Sequence, residues 1–410
     1  CIWWICRDTV LREPPRRLRA EPFQGTDMNR RTNIINNVIL LAATLAGILA
    51  VTLVGNNAYG GEIWLYVLYC LLGAILWAVV NTVAHELGHV RAGKKNGFRF
   101  VSMRIAFLLF KKENGKIYAD FTGFADELGS TEMVPENTEN LGERFVKMTR
   151  GGLTGNVVLL AVSLVPLFLT AFLPFWLYAV WAILLPVSLY FVFGNGLPMT
   201  SDGIKNDAAV AYGIKHGCDS EKVMLSLLCV HAALTEGKRP AEIDEKYYFD
   251  VPQLPENDLN YLLLLDARYV YYLDKEDFEN AKATADRLES MLGDMPKSYR
   301  PYVRANLLYD ACTFAFDESE ADNLVEDNER YLNNVNDVTV LRVKSSYVLY
   351  VLKDYKQAHK FLTHAKDKLD SCPVEGLRLF EEKLVDKMLA DIPAEALAEE
   401  PREEEKKEEK

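Results

Sequence analysis

Histidine is scarce in this chain, and no two cysteines are spaced as a pair. The seven cysteines are Cys1, Cys6, Cys70, Cys218, Cys229, Cys312 and Cys372, with no Cys-x-x-Cys among them. That spacing excludes a zinc ribbon and argues against a disulfide framework, leaving reduced thiols as the expectation. A basic footprint is also missing: the formal net charge is −12. Nucleic acid is therefore not an expected partner. Residues 1–27 lack the apolar core and small-residue cleavage site of a signal peptide. They carry Pro14-Pro15 and Arg16-Arg17-Leu18-Arg19, and Met28 follows just ahead of an apolar span. The expectation is a non-native or disordered leader over 1–27, with Met28 as the natural start.

What is present divides unevenly. Residues 1–203 hold 18 basic and 15 acidic residues, whereas 204–410 hold 28 and 43. The first half is apolar with basic loops; the second is acidic and reads as helical. The expected domains are 28–203 in the membrane, a cytoplasmic helical domain over 204–393, and a charged disordered tail over 394–410.

Four apolar stretches, 34–54, 63–90, 153–173 and 174–193, are each about long enough to span a bilayer. Pro166 and Pro186 should bend their helices, which neighbouring helices can accommodate in lipid. The link 55–62 has no Lys or Arg. The loop after the second stretch carries Arg91, Lys94, Lys95, Arg99, Arg104, Lys111, Lys112, Lys116, Arg144, Lys147 and Arg150. Basic loops stay in the cytoplasm, so both termini and this loop should be cytoplasmic in a multi-pass cell-membrane protein of bacterial type.

The second stretch ends in His85-Glu86-Leu87-Gly88-His89. Residues four apart lie on one helical face. Two neutral imidazoles so placed can bind one zinc ion and leave room for a third ligand and a water. Glu86 beside them can accept a proton from a water that the metal acidifies, the chemistry of metal-assisted peptide hydrolysis. The alternative is a pair of buried histidines satisfied by neighbours. Ionisable groups within a lipid-buried helix are costly and usually functional, which favours the site. His216, His231, His359 and His364 have no partner spacing and read as ordinary.

Two further motifs flank this one. Gly151-Gly152-Leu153-Thr154-Gly155-Asn156 opens the third stretch; its small residues permit close helix packing, and Asn156 should face protein. Gly194-Asn195-Gly196-Leu197-Pro198-Met199-Thr200-Ser201-Asp202-Gly203 follows the fourth. Asp202 emerges at the level of His85 and His89 and could be the carboxylate ligand, or the segment could be an ordinary helix-ending loop. Asp207, the next acid, lies more than a helical turn further on. Between the second and third stretches, 98–110 and 117–121 around Asn114-Gly115 read as a hairpin at the membrane surface. Its role is either structural or to pair its edge with an extended substrate.

Together these motifs resemble the site-2 protease family of intramembrane zinc metalloproteases. The matching residues are His85, Glu86 and His89; Gly152 and Asn156; and Asn195, Pro198, Asp202 and Gly203. The resemblance covers roughly 34–205. It implies zinc held by His85, His89 and Asp202, with Glu86 as general base. Asn156, Asn195, Pro198 and Gly203 would shape the site or bind substrate. It also implies cleavage of membrane-spanning or membrane-associated peptides. Leu153 stands where the family often has Pro, and the step from Pro198 to Asp202 is one residue tighter than its common form. The competing reading is a catalytically silent membrane scaffold.

In the acidic half, helical runs pair as 262–273 with 278–292, 302–316 with 320–332, and 340–352 with 355–369. Ala281, Ala321 and Ala358 recur at spacings of 40 and 37. This resembles loose tetratricopeptide-like hairpins, which stack into concave faces for a protein partner. A plain helical bundle is the alternative. The fold expected for the whole is mainly α: about four membrane helices, a small surface hairpin and a helical-repeat domain.

Overall fold

The structure is a computed structural model and describes residues 30–59, 63–113, 116–121, 128–201, 204–293, 295, 299–372 and 374–397. Side chains 30, 63–71, 113, 201 and 204 lie outside that description, as do all of 1–27, Asp202, Gly203 and 398–410. Contacts divide the described chain into two units, one of 30–232 with 245–264, the other of 233–244 with 265–397. The division thus falls after 232, not after 203. Residues 204–232 fold with the apolar helices because their own apolar face packs there.

The first unit opens with helices α1 (Arg30–Tyr59) and α2 (Ile63–Lys95). A four-stranded antiparallel sheet follows: β1 (Phe98–Ile105), β2 (Leu108–Glu113), β3 (Lys116–Phe121) and β4 (Gly129–Pro135), in the order β3-β2-β1-β4. Then come α3 (Leu141–Ser163), the short α4 (Val165–Phe168), α5 (Phe175–Ala182) and α6 (Leu184–Gly196). Among the described residues three helical segments are long and apolar enough to cross a membrane: Arg31–Tyr59, Leu141–Phe168 and Phe175–Gly196. The fourth expected span, 63–90, is helical within α2, but its first side chains lie outside the description. Proline breaks both later spans. Pro186 cannot donate to the Ala182 carbonyl, and α5 gives way to α6 at that point.

Helices α2 and α3 approach through small residues. A Cβ on Gly88 would lie 2.3 Å from the Gly151 carbonyl oxygen, and one on Gly155 would lie 2.2 Å from that of Ala84. Only glycine allows backbones this near, so this contact fixes where the two histidines meet α3. Away from the site, buried Tyr178 donates to the Val51 carbonyl at 2.8 Å and locks α5 to α1.

The sheet is larger than the expected hairpin. The run 98–110 breaks at Ala106, whose φ of 51° reverses the chain into β2. Strand β4, which has little β-forming character in sequence, pairs along the whole of β1. Phe98 and Met133 of the sheet pack with Leu141 and Met148 of α3, and with Leu228 and Cys229 further along. After α6 a two-strand turn, β5 (Thr200–Ser201) with β6 (Ile204–Lys205), leads to α7 (Asp207–His216) and α8 (Asp219–Thr235).

Beyond a short helix α9 (Lys246–Phe249), the chain continues as α10 (Leu259–Lys275), α11 (Phe278–Ser290), α12 (Arg300–Asp310), α13 (Glu318–Asn334), α14 (Val338–Ser346), α15 (Tyr355–Lys368), α16 (Glu375–Ala390) and α17 (Ala394–Leu397). Helices cover the segments of all three expected pairs, and one turn recurs between the two members of each. Glu276, Phe316 and Lys353 take positive φ. Asp277, Asp317 and Asp354 then cap the following helix by accepting from the backbone N–H three residues on. Ala281, Ala321 and Ala358 are fully buried one turn later.

Candidate metal centre

Helix α2 presents His85 and His89 on its α3-facing side, with the rings edge to face at 4.5 Å. Their Nε2 atoms are 3.0 Å apart. The Nδ1 atoms point away. That of His85 meets Asn156 Oδ1 at 2.8 Å, and that of His89 meets the Met148 carbonyl at 3.0 Å. Both partners are acceptors, since the Asn156 amide nitrogen is directed at the Asn81 carbonyl, 3.0 Å away. Each Nδ1 therefore carries the proton, and each Nε2 turns a lone pair inward. Asn156, expected either to glue helices or to face substrate, ties α3 to α2 through Asn81 and also orients the His85 ring. Asn81 and Ser188 continue the network at 3.3 Å.

Among the described residues, the carboxylate that joins the histidines is Asp207. Its Oδ2 lies 3.1 Å from His85 Nε2 and 3.0 Å from His89 Nε2. Asp202 and Gly203 lie outside the described residues. Asp207 looked too distant in sequence, but the β5–β6 turn carries the chain out and back, so residues along the loop add no net distance. Asn206 holds that turn closed. Its amide donates to the Gly194 and Leu197 carbonyls at 2.6 and 2.7 Å, and its Oδ1 accepts from Met199 N–H at 3.0 Å and Ala209 N–H at 2.9 Å. Helix α1 grips the same loop: Asn36 donates to the Pro198 carbonyl at 2.7 Å, and Asn33 exchanges two bonds with Thr200. Pro198 thus shapes the loop through its carbonyl. Among the described residues, Asn195 donates to the Phe191 carbonyl of its own helix.

The three atoms fit a metal ion. Zinc ligands about 2.0–2.1 Å from the ion in tetrahedral array stand roughly 3.3 Å apart, close to the 3.0–3.1 Å found between these atoms. A carboxylate oxygen and two buried, inward-turned lone pairs meeting this closely call for a cation between them. Among the described residues, Asp207 Oδ2 makes no hydrogen bond that would already satisfy it. Gly152 leaves the space open, for a Cβ there would come within 2.5 Å of both rings. Among the described residues this is the one cluster of three such groups.

Glu86 sits beside the ligands, buried, with Oε2 accepting from the Thr131 hydroxyl at 2.7 Å. The site thus draws on α2, α3, β4, α7 and the loop after α6. Asn206 followed by Asp-Ala-Ala is a readable helix start. Nothing in the sequence links Thr131 to Glu86 or Asn33 to Thr200. His231, read as ordinary, is buried with Nε2 3.0 Å from Glu132 Oε1.

No family model, curated protein or solved structure matches this chain.

Proposed function

We propose that this chain is an intramembrane zinc endopeptidase of the site-2 protease type, cutting membrane-spanning or membrane-associated peptides. The observation that carries the reading is the triangle of His85, His89 and Asp207, with Glu86 one residue from a ligand. Those three side chains would hold the metal, and bound zinc would supply a Lewis acid for a peptide carbonyl and an acidified water near neutral pH. Glu86 accepts the proton from the attacking water and delivers it to the leaving amine, the two halves of general acid–base catalysis. Asn156 and the Met148 carbonyl keep the imidazoles aimed throughout.

Three apolar helices support membrane association. In this reading α2 completes a four-helix bundle. The basic loops put the site near the cytoplasmic surface, and the helical pairs of the second unit recruit a protein partner. Substrate is unwound before cleavage, because a helix buries the scissile amide.

The test uses purified full-length protein in detergent, with fluorescein-labelled casein as probe. The expected result is one zinc per chain and cleavage abolished by a zinc chelator. Glu86→Gln should keep zinc and lose roughly 10²–10⁴ in rate. Absence of bound metal, or wild-type cleavage by Glu86→Gln, overturns the reading in favour of a silent scaffold.

A further inference from the structure

Strand β4 stands where the sequence promised only loop, and two residues on one of its faces meet Glu86. Residues i and i+2 of a strand share a face. Gly129 and Thr131 are such a pair, opposite Ile105 and Met103 of β1. A Cβ on Gly129 would come 2.6 Å from Glu86 Oε1 and 3.1 Å from its Cγ, so the missing side chain makes room for the carboxylate. Thr131 Oγ1 donates to the other oxygen at 2.7 Å. One residue clears a space and the next on that face fixes the rotation within it.

The opposite face of β4 is pinned as well. Glu132 accepts from Ser102 Oγ at 2.9 Å through Oε2, while Oε1 lies 3.0 Å from His231 Nε2 on α8. Ser102 is directly opposite Glu132 in the β1–β4 register. All three side chains are buried or nearly so. A buried, paired carboxylate is an expensive way to hold a strand, and removing its partner leaves an uncompensated charge. The strand therefore cannot slide without breaking that pairing, and Thr131 is the adjacent residue.

From this we infer that Gly129 and Thr131 form a cradle that orients Glu86, and that the Glu132–His231 pair sets the cradle's position from behind. The inference rests on the peptidase reading for its kinetic consequence. Thr131 is a positioning residue: it touches Glu86 and no reacting atom. A misaligned base loses rate in the chemical step and leaves ground-state binding alone, so kcat falls and KM does not.

Thr131→Val and Thr131→Ser are compared in the full-length protein with the casein probe. Thr131→Val keeps the shape and removes the donor; kcat should fall roughly ten- to hundredfold, with KM and zinc content within about twofold of wild type. Thr131→Ser restores the hydroxyl and should recover most of the rate. His231→Gln should lower kcat in the same pattern, by less. A second readout needs no turnover. The Glu86 carboxylate stretch, assigned by infrared difference against Glu86→Gln, should move in Thr131→Val and return in Thr131→Ser. An unmoved band, or Ser behaving as Val, overturns the cradle. If wild type cleaves nothing, the peptidase reading falls and the infrared band alone decides the cradle.

Discussion

Gly152 faces His89 across the α2–α3 contact so closely that a Cβ on it would lie 2.5 Å from the ring's Nε2. The same Cβ would meet His85 Nε2 at 2.7 Å. The smallest residue in the chain therefore sits against both Nε2 atoms. Its neighbours Gly151 and Gly155 bring the helix backbones together; Gly152 keeps the volume between them free.

Gly152→Ala should consequently lose metal while leaving helices intact. A methyl group in that volume displaces one or both imidazoles, since it would come within 2.5 Å of each ring. Zinc content should fall well below one per chain with helical circular dichroism unchanged. Full zinc occupancy in Gly152→Ala would mean that the rings do not share this space with the ion.

Two carboxylates compete for the third ligand position, and substitution separates them. Asp207→Ala should reduce zinc affinity and casein cleavage together, because it removes an atom 3.0–3.1 Å from both Nε2 groups. Asp202→Ala should retain zinc and most of the activity. The opposite pattern would return the role to Asp202.

Asn206→Ala removes four hydrogen bonds that close the loop before α7, including the helix cap to Ala209. Loss of a cap alone destabilises by about 1 kcal/mol. Here the larger consequence is positional, since Asp207 is the next residue. Zinc affinity should drop at least tenfold even though no ligand is altered. Asn206→Asp, which keeps the acceptor but not the donors, should fall between. Equal zinc affinity in all three proteins would show that the loop is held elsewhere.

The second unit should weaken as pH rises. Burial pushes the Asp266 carboxyl up to about 7 from its ordinary 3.8, and the Tyr299 and Tyr302 hydroxyls offset only part of this. The folded state then holds a proton that the unfolded chain releases. Stability is complete below about pH 4 and declines as pH climbs through 7, by on the order of 4 kcal/mol for this group. Asp310 is pushed the same way by burial. Amide exchange in α12 at pH 5 and pH 8, corrected for intrinsic rates, should show the loss; Asp266→Asn should flatten it. A wild-type profile already flat would contradict the assignment.

Much of this protein follows from its sequence alone. Spacing of four put His85 and His89 on one helical face with Glu86 between them, because helical geometry is local. Runs of about twenty apolar residues mark helices, since length against bilayer thickness is also a local property. The helix pairs of the acidic half were legible for the same reason. Ala281, Ala321 and Ala358 recur at spacings of 40 and 37.

What only the tertiary structure decided depends on contacts between residues far apart in the chain. Asp207 reaches the histidines through a loop that doubles back, and Asn33, Asn36 and Asn206 hold it there; no period in the sequence encodes a reversal. Strand β4 forms because β1 offers it a partner and Met133 a core to enter, not because Gly-Ser-Thr-Glu-Met-Val favours a strand. Thr131 meets Glu86, and Glu132 meets His231, across gaps of 45 and 99 residues. A hydrogen bond constrains distance in space and leaves no spacing behind in sequence. The helix that carries the two histidines was therefore readable, and the shell that aims them was not.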